Sequence, residues 1–214
     1  AHWPVLQQEA AVQNVSVYQV LNQWVERLEA AEPLPTRHLH VLGDHHGNRS
    51  PRANPSARGA IYGLTLETGA DALARLYLAT LQAIAYGTRH IIEAMRAAGH
   101  QVSRIMMCGG ATKNPLWLRE YANVTGCDIH LAREDDAVTL GAALLGSVAC
   151  GDFASITDAV NTMSHSGNII RANQDPEVQA FHNAKYQIYL TMYDDVQRAE
   201  KRLTEIMLNT AKAH

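Results

Sequence analysis

The stretch Met107-Cys108-Gly109-Gly110-Ala111-Thr112-Lys113-Asn114-Pro115 is where residue types and spacing speak most directly of chemistry. An apolar run meets two glycines, a tight loop and then the first turn of a helix. Glycines let a flat or anionic ligand approach the backbone closely, and free N–H groups at a helix start favour negative charge. The Gly-Lys-Ser/Thr ending of a P-loop is missing, and the pattern is not a dinucleotide-binding fingerprint. By residue type alone the turn is either a ligand cradle or a tight connection. Lys113 is likewise either a phosphate ligand or a solvated loop lysine.

His38, His40, His45 and His46 form a second cluster. His38 and His40 alternate on an expected strand and so share a face, where Asp44 could add an oxygen ligand to a metal. No further ligand set stands at a recognisable spacing, so no metal site is assigned. Asp44 also suits a turn-capping role. The loop Asp44-His45-His46-Gly47-Asn48-Arg49-Ser50-Pro51 gathers an acid, imidazoles, an amide and a guanidinium around a glycine at a strand end. Such a loop on a rigid scaffold builds binding surfaces, although a structural Ω-loop uses the same residue types.

The elements that must position these groups follow from periodicity. Helical spacing runs over 15–31 (Val17, Tyr18, Leu21, Trp24, Val25, Leu28), and Pro33 and Pro35 stop it. Residues 38–42 alternate as a short strand, a polar loop covers 43–59, and 60–64 is extended. One apolar stripe marks a helix over 71–98, with Gly99 placed to end it. Strands are expected at 102–108 and 127–131, on either side of a helix at 114–125. An Ala/Leu-rich helix at 136–150 reads as buried, followed by a short helix at 156–163. A long helix at 176–208 carries Tyr186, Tyr189 and Tyr193 as packing groups and a solvated charge run from Arg198 to Arg202. Strand–helix alternation with few strands and long helices gives a helix-rich α/β domain.

Length and composition set further bounds. A chain of 214 residues with 47% apolar and 18% charged residues suits one well-buried domain with helical additions. A formal charge of −3 and the lack of a Lys/Arg block argue against nucleic acid as partner. No apolar run is long enough for a bilayer, which argues against a membrane role. Cys108, Cys127 and Cys150 are odd in number and lack metal-type spacing, which suggests a reducing, cytoplasmic setting. Cys108 reads as a buried thiol. The opening Ala1-His2-Trp3-Pro4 lacks an initiator Met and suggests a trimmed or excised piece of a longer chain.

Several of these stretches, in this order and spacing, resemble the C-terminal domain of the FGGY family of carbohydrate kinases, and most closely its ribulokinase-type and ribitol-kinase-type members. Asp44, His46-Gly47-Asn48-Arg49-Ser50-Pro51, then Gly59-Ala60-Ile61-Tyr62-Gly63-Leu64, Leu76-Tyr77-Leu78-Ala79-Thr80-Leu81-Gln82, Gly87-Thr88-Arg89, Cys108-Gly109-Gly110, Lys113-Asn114-Pro115 and Thr139-Leu140-Gly141-Ala142-Ala143-Leu144 carry the similarity. Arg75 and a longer spacer depart from the family's second signature. The resemblance implies an actin-like, ribonuclease-H-like ATPase fold, here incomplete, with two domains flanking a cleft. It implies that Gly109, Gly110 and Ala111 meet the nucleotide through the backbone, that the Asn114 side chain faces adenine, and that Lys113 points away. Gly141-Ala142-Ala143 would pack closely near a hinge, and Asp44, His46, Gly47, Asn48 and Arg49 would form a loop on the substrate side of the cleft.

The reaction so implied transfers the γ-phosphoryl group of ATP to a primary hydroxyl of a pentulose or pentitol, with Mg²⁺ carried by the nucleotide. No catalytic residue is expected in this chain. The general base, the sugar contacts and the phosphate loop would lie in an N-terminal domain, and the first strands of this domain's own sheet would also be missing. The isolated chain is therefore expected to be inactive, and its open sheet edge to invite a second copy or the remainder of the same protein. The competing reading is a stand-alone helical protein-interaction module without a nucleotide site.

Overall fold

The computed structural model describes residues 3–133 and 136–212. In chain order the elements are α1 (Trp3–Gln13), α2 (Val17–Ala31), β1 (His40–Leu42), β2 (Ala60–Tyr62), α3 (Ala70–Ala97), β3 (Arg104–Met107), a 3₁₀ turn (Gly110–Lys113), α4 (Pro115–Thr125), β4 (Asp128–Ala132), α5 (Ala137–Ala149), α6 (Ile156–Met163), β5 (Ser166–Ile170) and α7 (Pro176–Lys212). β1 and β2 form an antiparallel pair. β3 runs parallel to β4, and β5 closes the second sheet antiparallel to β4. The helix-rich α/β reading therefore holds. Two elements escape sequence reasoning. β5 is built on Ser166-Gly167-Asn168, which carries no alternation, and α1 buries only Leu6 and Ala10.

α2 starts on a capping box: Gln19 N–H donates to the Ser16 hydroxyl, and Ser16 N–H donates to the Gln19 side chain. Its stripe (Val20, Leu21, Trp24, Val25, Leu28) packs with Leu6 of α1, Leu78 and Leu81 of α3 and Leu116 of α4. Each such side chain contributes about 1.5–3 kcal/mol on burial. A second core joins Tyr86 of α3, Tyr121 of α4, Ile129 of β4 and Tyr186, Tyr189 and Met192 of α7, so the first two tyrosines of the long helix are packing groups, as expected.

Between these cores runs a buried polar chain. The Thr36 hydroxyl donates to Gln82 (2.7 Å), and Gln82 donates to Glu120 (2.9 Å). Arg119 bridges Glu120 (2.9 Å) and Glu29 (2.6 Å), tying α2 to α4. Buried Lys185 donates to the carbonyls of Thr36 (2.6 Å) and Leu39 (2.8 Å), which fixes the turn that delivers β1.

Register explains the two faces of the three-stranded sheet. Ile105, Ile129 and Ile170 are cross-strand partners and pack into the tyrosine-rich core. One residue out of phase, Met106, His130 and Ile169 form a row on the opposite face, where Met106 is 63% and Ile169 44% exposed. Two expectations are corrected by this arrangement. Cys108 is exposed, because it continues the outward phase of Met106. α5 is not a buried helix: Leu144 is its one buried residue, Val138 and Leu145 stand open, and its principal neighbour is α6. An apolar composition buries a helix only where another layer lies against it.

Candidate functional site

The Gly109-Gly110 turn lies between β3 and α4. Gly109 has φ +90°, a conformation that favours glycine, and the Thr112 hydroxyl donates to its carbonyl (2.7 Å). A Cβ added to Gly110 would meet nothing within 4 Å. That glycine is therefore required by neither backbone angle nor packing, and it leaves a bare strip of main chain beside open space.

This space is a cleft of about 690 Å³ between the turn and α2, lined by Gly110, Ala111, Lys113 and Asn114 on one side and by Tyr18, Gln19, Asn22, Gln23 and Glu26 on the other. Lys113 borders the cleft as an exposed residue. Asn114 is the N-cap of α4, and its Oδ1 accepts from Trp117 N–H (3.2 Å). A backbone N–H can only donate, so this bond fixes which end of the amide is oxygen. The rest follows in a closed ring. Asn22 Nδ2 donates to Asn114 Oδ1 (3.0 Å), Tyr77 Oη donates to Asn22 Oδ1 (3.2 Å), and Asn114 Nδ2 donates to Tyr77 Oη (2.8 Å). Burial pushes the Tyr77 phenol up, against the opposing pull of its bond from Asn114. Asn114 Oδ1 is saturated by two donors, whereas Nδ2 retains a second hydrogen. Toward a ligand, Asn114 is a donor.

The loop set is built differently. Asp44 and Asn48 are buried. Asn48 Nδ2 donates to Asp44 Oδ1 (3.0 Å), and the backbones of Asn48 and Asn54 exchange two 2.8 Å bonds. Gly47 has φ +79°, and a Cβ there would fall 2.6 Å from the Pro55 carbonyl oxygen. Arg52 stands 3.9 Å from Asp44 and lies over the Tyr193 ring (3.5 Å), while Asn54 donates to the Tyr193 hydroxyl (2.9 Å). The loop is thereby fastened to α7. His46 and Arg49 remain exposed, and His46 and Gly47 border a separate recess of about 610 Å³ with His45, Arg58 and Gly59. Gly110, Ala111 and Asn114 therefore line one recess and His46 and Gly47 another, and Asp44, Asn48 and Arg49 line neither.

His40 has a buried Nδ1 without a hydrogen-bond partner. Burial, then the neighbouring Lys185 and His38, lower its pKa to about 4. A neighbouring cation disfavours a metal as it does a proton. Among the described residues no three His, Cys, Asp or Glu side chains gather where they could hold one ion. The sequence pattern puts Tyr18 in the apolar stripe of α2, whereas it is exposed, and it passes over Asn22. Asn22 carried a usable signal, since it is a buried amide within an apolar helical stripe.

Architecture defines the class first. The fold is that of the actin-like sugar kinases. A ligand-bound xylulose kinase from Lactobacillus acidophilus superposes with a TM-score of 0.69 at 18% identity, covering 94% of this chain and 39% of that one. A Plasmodium falciparum glycerol kinase with ADP gives 0.62 at 20% identity, covering 80% and 33%. At the level of sequence, residues 2–150 match the C-terminal domain of the FGGY family of carbohydrate kinases, and the chain belongs to that family. It is 44% identical over 197 residues to the human FGGY carbohydrate kinase domain-containing protein, covering 91% of this chain and 35% of that protein. It is 39% identical over 150 residues to a D-ribulokinase of Saccharomyces cerevisiae, covering 67% and 21%. The chain thus spans about a third, or less, of the length of these relatives.

Proposed function

We propose that this chain forms the adenosine side of the nucleotide cleft in an ATP-dependent kinase of a pentulose or pentitol. The observation that carries the reading is the bare backbone at Gly110-Ala111 beside an Asn114 held as a donor within one open cleft. A purine ring nitrogen is an acceptor that such a donor suits. The ADP of the glycerol kinase relative and the D-ribulokinase name of the yeast relative support the nucleotide and the pentulose respectively. In this reading Gly109, Gly110, Ala111 and Asn114 meet the nucleotide. Asp44 and Asn48 shape the loop that presents His46, Gly47 and Arg49 toward the sugar.

In this reading the catalytic carboxylate and most of the sugar contacts would come from an N-terminal domain, within the part of the relatives' length that this chain does not span. Mg²⁺ would arrive with the phosphates, since the described residues offer no cage for it. The uncovered row Met106, His130 and Ile169 is where a second copy, or further chain of the same protein, would sit. The described residues include no helix long and apolar enough to cross a membrane, and we place the protein in the cytoplasm, where its free thiols remain reduced.

The test is an amide-resolved titration of the 214-residue chain with ADP. Shifts are expected at Gly109, Gly110 and Ala111. Asn114→Asp keeps a good N-cap but removes the donor, so it should weaken the response about tenfold, with only a few degrees lost from the Tm through the bond to Tyr77. No shift at millimolar ADP would favour the interaction-module reading. With ATP and ribulose the same sample should release no ADP.

A further inference from the structure

Aromatic side chains meet the cleft at three places, and two of them are already engaged. Tyr77 is locked in the ring with Asn22 and Asn114. Trp117 packs against Tyr121 at 5.7 Å between ring centroids. Tyr18 is different: it is 62% exposed and lies in the first turn of α2, two residues after the Ser16 cap. It sits close enough to Tyr77 to raise that phenol electrostatically.

The position of Tyr18 along the cleft follows from two contacts between helices. Asn22 meets Asn114 at 3.0 Å and, further along both helices, Glu29 meets Arg119 at 2.6 Å, so the side-chain contacts progress in the same sense along α2 and α4, both of which pack on α3. One helical turn before Asn22, Tyr18 falls on the side of Asn114 where Gly110 and Ala111 lie. Gly110 opens the 3₁₀ turn with no side chain, and a Cβ there would meet nothing within 4 Å, so a ligand can reach its main chain. A planar ligand laid on it has one covered face and one face open to water.

We propose that Tyr18 is a base-recognition residue of this cleft, its ring closing over the face of a purine whose other face rests on Gly110-Ala111. The inference rests on the nucleotide reading above and adds to it a specific wall drawn from α2. Stacking on a tyrosine ring favours any nucleobase over water, and the aromatic face, not the hydroxyl, carries the effect. Because Tyr18 is exposed and supports no core contact, removing it leaves the fold intact.

The experiment compares the 214-residue chain with Tyr18→Ala and Tyr18→Phe, titrated with ADP by proton NMR. The parent and Tyr18→Phe should bind equally and move adenine H2 and H8 upfield through the ring current. Tyr18→Ala should bind about tenfold more weakly and lose that shift, at an unchanged Tm. A Tyr18→Ala variant that binds ADP like the parent, or keeps the upfield shift, overturns the role of Tyr18 and leaves the nucleotide reading standing. A parent that does not respond to ADP overturns both.

Discussion

The glycine turn and the Asp44–Asn54 loop draw on the same kinds of residue, yet the fold uses them in opposite ways. In the loop, polar side chains face inward: Asp44 and Asn48 hold each other, Arg52 lies over Tyr193, and Gly47 makes room for the Pro55 carbonyl. At the turn, Gly110 makes room for nothing in the chain, and Asn114 keeps a donor in reserve. A glycine needed by its neighbours is architecture, whereas a glycine facing open space is available to a ligand. Paired substitutions separate the two. Gly47→Ala should cost about 3 kcal/mol, because positive φ and a backbone clash act together, and should lower the Tm by roughly 10 °C for a chain of this size. Gly110→Ala should leave the Tm within a degree or two and abolish the ADP-induced shifts. Equal thermal losses would erase the distinction.

The next effect in size lies beneath the loop side of the molecule. His182 is 3% exposed, its Nδ1 lies 3.0 Å from the Tyr86 hydroxyl, and burial, with Lys185, Arg89 and Arg119 nearby, lowers its pKa to about 3. His40 is lowered to about 4. Both folded values fall below the ordinary 6.5, so between that value and the folded pKa the unfolded chain binds more protons. Stability therefore falls as pH drops from 6.5 toward 4, by up to about 1.4 kcal/mol per pH unit for His182 and by less for the partly solvated His40. Lys185 is lowered to about 7 by burial, with Glu120 opposing. The unfolded chain again holds more protons between pH 7 and 10.5, so stability should rise through that window. Denaturant midpoints recorded from pH 4 to 9 should show both slopes, and His182→Asn should flatten the acidic one. No histidine lines the cleft at the turn, so above pH 7, where the ADP phosphates are fully ionised, ADP binding should not change with the loop-side titrations.

Much of this was legible from residue order. The α2 stripe, the long stripe of α3 and the Gly-Gly turn announce themselves through periodicity and glycine spacing. What stayed hidden depends on partners that lie far away in sequence. Asn22 and Asn114 are 92 residues apart, and Lys185 reaches carbonyls nearly 150 residues upstream. β5 is specified by its register against β4 and not by a pattern of its own. The exposure of α5 is not legible in its alanines and leucines, because they state a preference, whereas burial needs a neighbouring layer.

The smallest expected effect also sharpens the comparison most locally. Cys108 and Cys150 are exposed, whereas Cys127 is buried under Arg96 at 3.4 Å. A thiol reagent should therefore label Cys108 and Cys150 quickly and reach Cys127 only when the chain unfolds. Cys108 directly precedes the Gly109-Gly110 turn, whereas Cys150 ends α5 and donates to Asp152 (3.2 Å). Saturating ADP should slow labelling of Cys108 severalfold, since a nucleotide resting on Gly110-Ala111 narrows the approach to the neighbouring thiol. The rate at Cys150, away from the turn, should not change. If both rates fell together, ADP would be tightening the whole chain and not covering the turn. If Cys108 kept its rate while the amides of Gly110 and Ala111 shifted, the ligand would be lying on the α2 side of the strip, where Tyr18 stands.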